Sequence, residues 1–410
     1  MAKKNSKKTV PDLRFRGFTD PWEQRQLGEV AQRVTRRNLN NECSRVLTAS
    51  AEAGLIDQQE YFQKRIASHD LSHYYLLKRG DFAYNHSSSG SAALGIIKRL
   101  EAYDFGCLST LYIIFHPKHG IDSDYLLHYF ESSAWHGDVA GMVTEGARNH
   151  GLLNISPDTF FTARCSFPSL PEQRRIGKFF TIFDSLIAAA ERQEALLRQK
   201  KQAYLQLMFP QESETEPQLR FSGFNDAWKR IALRSVLKIN EERNTASEFG
   251  FEKTISVSTM RFKPEGNGAA HASLETYRVL RVGDVAFEGN RHKEYPYGHV
   301  VINDIGDGLM SSRFRSFRPT QLICVPFWKY LLQNRYIMTP LLLRSTMRGT
   351  LMNELVVDDF LKQRTPMPSL QEQLEIGDFF ETLDRLIENA EGRIAQLRKM
   401  KSSYLQKLFV

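Results

Sequence analysis

Cysteine is scarce in this chain and never clustered. Cys43, Cys107, Cys165 and Cys324 are the only four in 410 residues. No C-x-x-C pair occurs, which argues against a zinc ribbon and a disulfide framework and fits a reducing compartment. Long hydrophobic runs are missing too, since none approaches the roughly 18 residues of a membrane span. Lys3, Lys4, Lys7 and Lys8 at the start have no apolar stretch behind them, so they do not read as a secretory signal. The expectation is a soluble, cytoplasmic protein.

Catalytic signatures are also lacking. The chain contains no D/E-x-K, no H-E-x-x-H, no G-x-S-x-G and no G-x-G-x-x-G. Gly90 and Gly95 have the spacing of a phosphate-binding loop, but Ile96 and Ile97 follow where lysine and a hydroxyl are needed. Methyltransferase signatures are missing as well: there is no [DN]-P-P-[FYW] loop and no Pro-Cys pair. His69 and His73 have helical i, i+4 spacing but no evident third ligand, so no metal is expected. These absences point to a reader or scaffold and not to a catalyst.

What the chain does have is charge, length and repetition. A net charge of +8 suits a polyanionic partner, nucleic acid first. With 41% hydrophobic and 25% charged residues it can bury real cores, and its length suits two or three domains. Residues 11–30 (PDLRFRGFTDPWEQRQLGEV) match residues 217–236 (PQLRFSGFNDAWKRIALRSV) at 10 of 20 positions, at a constant offset of 206. Residues 168–209 match 368–409 at 22 of 42 positions. Between these anchors the halves diverge, yet fragments keep their order. Leu77, Gly80 and Asp81 answer Leu280, Gly283 and Asp284; Gly106 and Ser109 answer Gly308 and Ser311; and a strand ending Phe115-His116-Pro117 answers one ending Phe317-Arg318-Pro319.

The shared segments read as long helices. Pro171 suits a first helical turn, and Glu172 complements the positive end of the helix dipole. One apolar seam runs through Ile176, Phe183, Ala190, Leu197 and Tyr204, copied as Ile376, Leu383, Ala390, Leu397 and Tyr404. A second seam starts at Phe179 and Leu186, and at Phe379 and Leu386, then turns polar. Phe180 and Ile187 widen the stripe. Five heptads span roughly 55 Å, too long to be covered by one small domain. The expected partner of each helix is its copy, packed antiparallel about an internal pseudo-two-fold.

The fold class expected is therefore α+β/mixed: two variable α/β domains joined by a pair of long antiparallel coiled-coil helices. The segments read as a basic tail (1–10), variable domain 1 (11–160), helical region 1 (161–209), an exposed acidic linker (210–216), variable domain 2 (217–360) and helical region 2 (361–410). Within the domains, strands are expected at Leu108–Phe115, Gly95–Lys98, Val300–Asn303 and Thr254–Ser258, and helices at Asp124–Glu131 and Phe327–Gln333.

The pattern P-x-L-x-E-Q-x-x-I-x-x-x-F-x-x-x-D-x-x-I occurs twice. It runs through Pro168, Leu170, Glu172, Gln173, Ile176, Phe180, Asp184 and Ile187, and through Pro368, Leu370, Glu372, Gln373, Ile376, Phe380, Asp384 and Ile387. With the R-F-x-G-F-x-D-x-W openings at Arg14 and Arg220, it resembles the specificity subunit of type I restriction–modification enzymes over nearly the whole chain. The resemblance implies that the two α/β domains are target-recognition domains, each reading one half of a split, asymmetric DNA site. It also implies that the helical regions act as spacer and dock two modification (methyltransferase) subunits, with restriction subunits joining that core. S-adenosylmethionine, ATP and Mg²⁺ would then belong to the partners, none of them to this chain. Half-sites about one helical turn apart, roughly 34 Å, would suit two readers on such a frame. The alternative is a coiled-coil adaptor that binds DNA only incidentally.

Candidate DNA-reading loops follow the shared L-x-x-G-D turns: Asn85, His86, Ser87 and Ser88 in one half, and Asn290, Arg291, His292 and Lys293 in the other. Basic candidates for phosphate contact are Arg33, Arg36 and Arg37, then Arg243, Arg261 and Lys263, and Arg313 with Arg315 on one face of an expected strand. Gly80, Asp81, Gly283 and Asp284 read as turn-forming, because both halves keep them. Ile176, Phe183, Leu197, Tyr204 and their copies Ile376, Leu383, Leu397 and Tyr404 read as spacer and docking positions.

Overall fold

The computed structural model describes residues 10–39, 41–64, 70–87, 92–145, 153–211, 214–265 and 271–410. The lysine tail, His69 and Ser88 lie outside the described residues. Among the described residues, no helix is long and apolar enough to cross a membrane. The chain divides into two compact units, Met1–Glu191 with Gly392–Val410, and Arg192–Glu391.

In the first unit a four-stranded antiparallel sheet runs in the order Ala31–Arg33, Ile113–Pro117, Phe82–Asn85, Ile96–Arg99. A two-stranded ribbon pairs Tyr75–Lys78 with Phe105–Leu108, and Glu23–Gln26 pairs with Arg164–Phe167. The helix Ser123–Glu131 buries Tyr125, Leu126, Leu127, Tyr129 and Phe130. These rings join Trp22, Phe115, Phe160, Phe180 and Phe409 in one core. The second unit repeats this plan. Its sheet runs Leu237–Ile239, Arg315–Pro319, Val285–Glu288, His299–Ile302. Arg278–Leu280 pairs with Gly308–Met310, Lys229–Ala232 pairs with Arg364–Met367, and the helix Val325–Gln333 covers the core.

The L-x-x-G-D turns have a common physical cause. Gly80 and Gly283 both hold φ near +90°, a conformation that costs glycine nothing and other residues dearly. Asp81 and Asp284, both buried, then accept from the backbone N–H three residues back, Lys78 and Arg281, each at 2.8 Å.

The long helices span Leu170–Leu207 and Leu370–Leu408, each about 57 Å. They pack antiparallel within each unit. In the first, Phe179 and Phe183 meet Tyr404, with ring centroids at 5.2 and 5.7 Å, and Arg398 donates to Glu191 at 2.6 Å. In the second, Phe379 meets Tyr204 at 5.1 Å, and Arg198 pairs with Glu391. Each unit thus takes the start of one long helix and the end of the other.

Several expectations need correction. Leu186 and Leu386 are 41% and 46% exposed, so the second seam fades after its first heptad. Phe180 and Phe380 are fully buried. Phe180 lies 5.1 Å from the His128 ring and stacks on Phe409 at 5.7 Å, so this face of the helix is covered by the globular domain. The stripe therefore serves two partners, which explains its excess width. The expected strand Leu108–Phe115 is two strands, Phe105–Leu108 and Ile113–Pro117, parted by a turn in which Tyr112 N–H reaches the Ser109 carbonyl. Thr254–Ser258 keeps strand geometry only at Ile255–Ser256. The linker is not wholly exposed: Pro210 is buried, and Arg230 donates to the carbonyls of Gln211 and Glu214.

Candidate nucleic-acid interface

The repeated motifs turn out to be joints. Arg14 forms a bidentate pair with Glu172, both contacts 2.8 Å, and also donates to the Asp20 carbonyl at 2.6 Å. Arg220 does the same with Glu372, at 2.7 and 2.9 Å, and with the Asp226 carbonyl. Both glutamates are 1% exposed, so each arginine neutralises a carboxylate buried at the start of a long helix. Gln173 donates to the Pro168 carbonyl and accepts from Asp122 N–H. About three helical turns further along the motif, Asp184 takes Lys401 at 2.6 Å and Asp384 takes Lys201 at 2.5 Å. The R-F-x-G-F and E-Q…D patterns thus fasten the α/β domains to the long helices.

One such joint gathers His128, Glu131 and Asp184 within ligand distance of one another, a long-range cluster that spacing arguments missed. Lys401 lies 2.8 Å from Glu131 and 2.6 Å from Asp184, so an ammonium already supplies the positive charge there. Burial would raise the Glu131 pKa, but the His128 hydrogen bond and the Lys401 charge hold it down at about 2. The second unit has Tyr330, Gln333 and Asp384 at the matching places, with the Tyr330 hydroxyl donating to Asp384 at 2.8 Å.

One asparagine organises the edge of each domain. Asn38 donates to the Cys43 carbonyl at 2.9 Å and accepts from Cys43 N–H. Asn244 bridges Phe249 in the same way, at 2.9 and 3.1 Å. Both are buried, and each is preceded by a candidate arginine. Arg37 donates to the His73 carbonyl and lies 4.6 Å over the Tyr75 ring. Arg243 donates to the Thr276 carbonyl at 2.7 Å and sits in a bridge with Arg278. The recurrence of Arg37-Asn38 as Arg243-Asn244 at the offset of 206 is the sequence signal that could have found this frame.

The other candidates separate. Arg36 is committed to buried Asp81 at 2.6 Å, so its charge is largely neutralised inside the protein. Arg33 lies 3.8 Å from Asp158. Arg261 is exposed on a short strand, with Lys263 half-buried beyond it. Arg313 is not on a strand: it sits in the turn before Arg315–Pro319, and only Arg315 is in the sheet. The arrangement of one turn residue and one strand residue replaces the expected pair on one face.

The two loops do occupy equivalent places, beside matching backbone pairings: Leu153 N–H donates to the His86 carbonyl and Asn353 N–H to the Gly289 carbonyl. His86 is held at both ring nitrogens, 2.7 Å from the Leu153 carbonyl and 2.6 Å from that of Leu111. Asn85 accepts from Ser87 N–H. In the second unit Asn290 donates to Glu288 and Arg291 to the Gly349 carbonyl, while His292 and Lys293 are exposed. Beside each hairpin is a cleft against the long helix. It is about 980 Å³ in the second unit, lined by Lys201, Tyr295, His299 and Asn334, and about 500 Å³ in the first, lined by Lys401, Ile96 and Trp135.

Two like-built α/β domains, each fastened to a long helix and carrying unlike polar loops, define a duplicated, modular architecture. Residues 225–399 match the family model of the type I restriction modification DNA specificity domain. The chain is 24% identical over 325 residues to the type I restriction enzyme MjaVIII specificity subunit of Methanocaldococcus jannaschii, covering 74% of this chain and 73% of that one. Its fold is similar to the S subunit of a type I restriction–modification system from M. genitalium (TM-score 0.56, 13% identity, 98% and 99% of the two chains). It is similar also to a chain solved in work on complex assembly and conformational transition of the type I R-M system (TM-score 0.55, 15% identity, 96% and 99%). The resemblance to type I specificity subunits read from the sequence therefore holds, in the second unit at the level of the family domain and across the chain at the level of the fold.

Proposed function

We propose that this chain is the sequence-specific DNA-recognition subunit of a type I restriction–modification complex. Its two domains read the halves of a bipartite, asymmetric target, and its helical regions dock two modification (methyltransferase) subunits, with restriction subunits joining them. It works in the cytoplasm, performs no chemistry of its own, and leaves S-adenosylmethionine, ATP and Mg²⁺ to its partners. The observation that carries this reading is the contrast between frame and loops. Arg14–Glu172, Asn38 and Asp81 recur as Arg220–Glu372, Asn244 and Asp284 with the same bonds, whereas Asn85–Ser87 and Asn290–Lys293 share neither sequence nor bonding. A fixed frame with variable loops is what two readers of different half-sites require.

The test is exchange of residues 11–160 for the corresponding domain of another chain of this kind, followed by methylation-sensitive sequencing of the host genome. One half of the methylated sequence should change and the other should persist. Changes in both halves would defeat the modular reading. Failure of the chain, mixed with its methyltransferase subunit, to retard any duplex in a salt-sensitive way would favour the adaptor.

A further inference from the structure

The second unit gathers positive charge that, among the described residues, no carboxylate pairs with directly. Arg278 is 6% exposed. Its Nη1 donates to the Asn240 carbonyl at 2.8 Å, a carbonyl that also accepts from the Ser316 hydroxyl at 3.2 Å. Its Nε is buried with no acceptor. Arg243 faces Arg278 across a backbone bridge, and Arg315 directly precedes Ser316, which shares the Asn240 carbonyl with Arg278, on the strand Arg315–Pro319. Burial first, and then the charges of Arg243 and Arg315, lower the Arg278 pKa, with Glu241 opposing them more weakly. Among the described residues no carboxylate forms an ion pair with any of the three arginines. Nearby arginines behave differently: Arg281 is paired with Glu242, Glu248 and Asp307, and Arg318 with Glu242 and Asp284. Three guanidinium groups gathered without counter-charge, one of them desolvated and holding an unused donor, cost stability unless an anion completes the site.

We propose that Arg278, flanked by Arg243 and Arg315, is a phosphate clamp that anchors the second recognition unit on the backbone of duplex DNA. This rests on the DNA-recognition reading above and adds to it a residue-level anchor that one unit has and the other lacks. Arg243 and Arg315 are exposed, so the cluster opens to solvent through them. A phosphate oxygen offers the acceptor that Nε lacks, and a guanidinium suits phosphate in a fixed, forked geometry. The matching positions of the first unit are Arg37, Tyr75 and Ile113. There the arginine lies over the tyrosine ring and Ile113 is buried, so no equivalent clamp can form.

Because phosphate contacts are blind to sequence, the test does not require the target. The full chain is titrated with a labelled random-sequence duplex of about 40 base pairs at several salt concentrations between about 50 and 200 mM. Arg278→Gln should weaken binding about tenfold at the lowest salt and flatten the slope of log affinity against log salt by about 0.9. Its thermal midpoint should stay level or rise, since a crowded buried cation has been removed. Arg243→Gln with Arg315→Gln, both at exposed positions, should flatten the slope by nearly 2, and this keeps the test decisive if Arg278→Gln fails to fold. A lowered midpoint with an unchanged slope in Arg278→Gln, or an unchanged slope in the double variant, would overturn the clamp. Wild-type chain that binds the duplex without any salt dependence would instead sink the recognition reading on which the clamp stands.

Discussion

The two units agree at Arg14–Glu172, Asn38, Gly80 and Asp81 with their copies, and part company along one edge of the domain. At matching positions the first unit has Arg37, Tyr75, Leu111 and Ile113, and the second has Arg243, Arg278, Arg313 and Arg315. Behind these faces Gly80 and Gly283 share one φ, and Asn38 and Asn244 make the same two bonds. The difference teaches which residues are free to change. A side chain that neutralises a buried charge or sets a turn is fixed by the cost of leaving a partner unsatisfied. A side chain at the rim has no partner to strand, and its identity can follow whatever it meets outside.

The joint at Arg14 and Arg220 allows the sharpest break in this symmetry. Removing either arginine leaves a 1%-exposed glutamate without its cation, and the loss of one partner of a buried pair costs about 3–5 kcal/mol. The units differ in what remains. Trp228 Nε1 donates to Glu372 at 3.2 Å, whereas Trp22 Nε1 has no acceptor. Arg14→Ala should therefore destabilise by the upper part of that range and Arg220→Ala by the lower, measured by chemical denaturation. Equal losses would mean that the tryptophan bond carries no weight.

A smaller contrast separates the lysines. Lys401 serves two carboxylates, Glu131 and Asp184, and Lys201 serves Asp384, which keeps the Tyr330 hydroxyl as a second donor. Lys401→Met should cost about 2–3 kcal/mol and Lys201→Met about 1 kcal/mol, reduced from the fully buried case because the acids are partly solvated. Thermal unfolding of both variants beside the wild type reads the difference. Greater damage from Lys201→Met would reverse the ranking argued here.

Much of the frame was legible because repetition exposed it. Residues that bond within the protein must match their partners, so Arg14, Glu172 and Asp184 recur with their copies, and their joint role follows from alignment. The long helices could be read from their seam, but the globular partner of Phe180 could not, because a heptad pattern records that a face is covered without recording by what. The candidate surface was less legible. Arg36 and Arg37 are adjacent in sequence and looked equivalent, yet one is neutralised by Asp81 and the other lies on Tyr75. Arg278 was overlooked because a lone arginine within an apolar strand gives no periodic signal. Only the fold brings it beside Arg243 and Arg315.

The finest contrast is in acid. Glu131 is 22% exposed and has its pKa held at about 2, below the ordinary 4.5. A depressed carboxyl contributes stability that is fully present above its unfolded value and is lost as the pH falls through its folded one. Here that window runs from about pH 4.5 down to about 2, and the contribution is at most about 3 kcal/mol. The second unit has Gln333 at the corresponding place and cannot lose this term. Glu131→Gln should therefore lower the thermal midpoint at neutral pH, and its deficit against the wild type should shrink steadily below pH 4.5. A deficit that stays constant down to pH 3 would mean that Glu131 acts through shape and hydrogen bonding, which glutamine largely keeps, and not through its charge against Lys401.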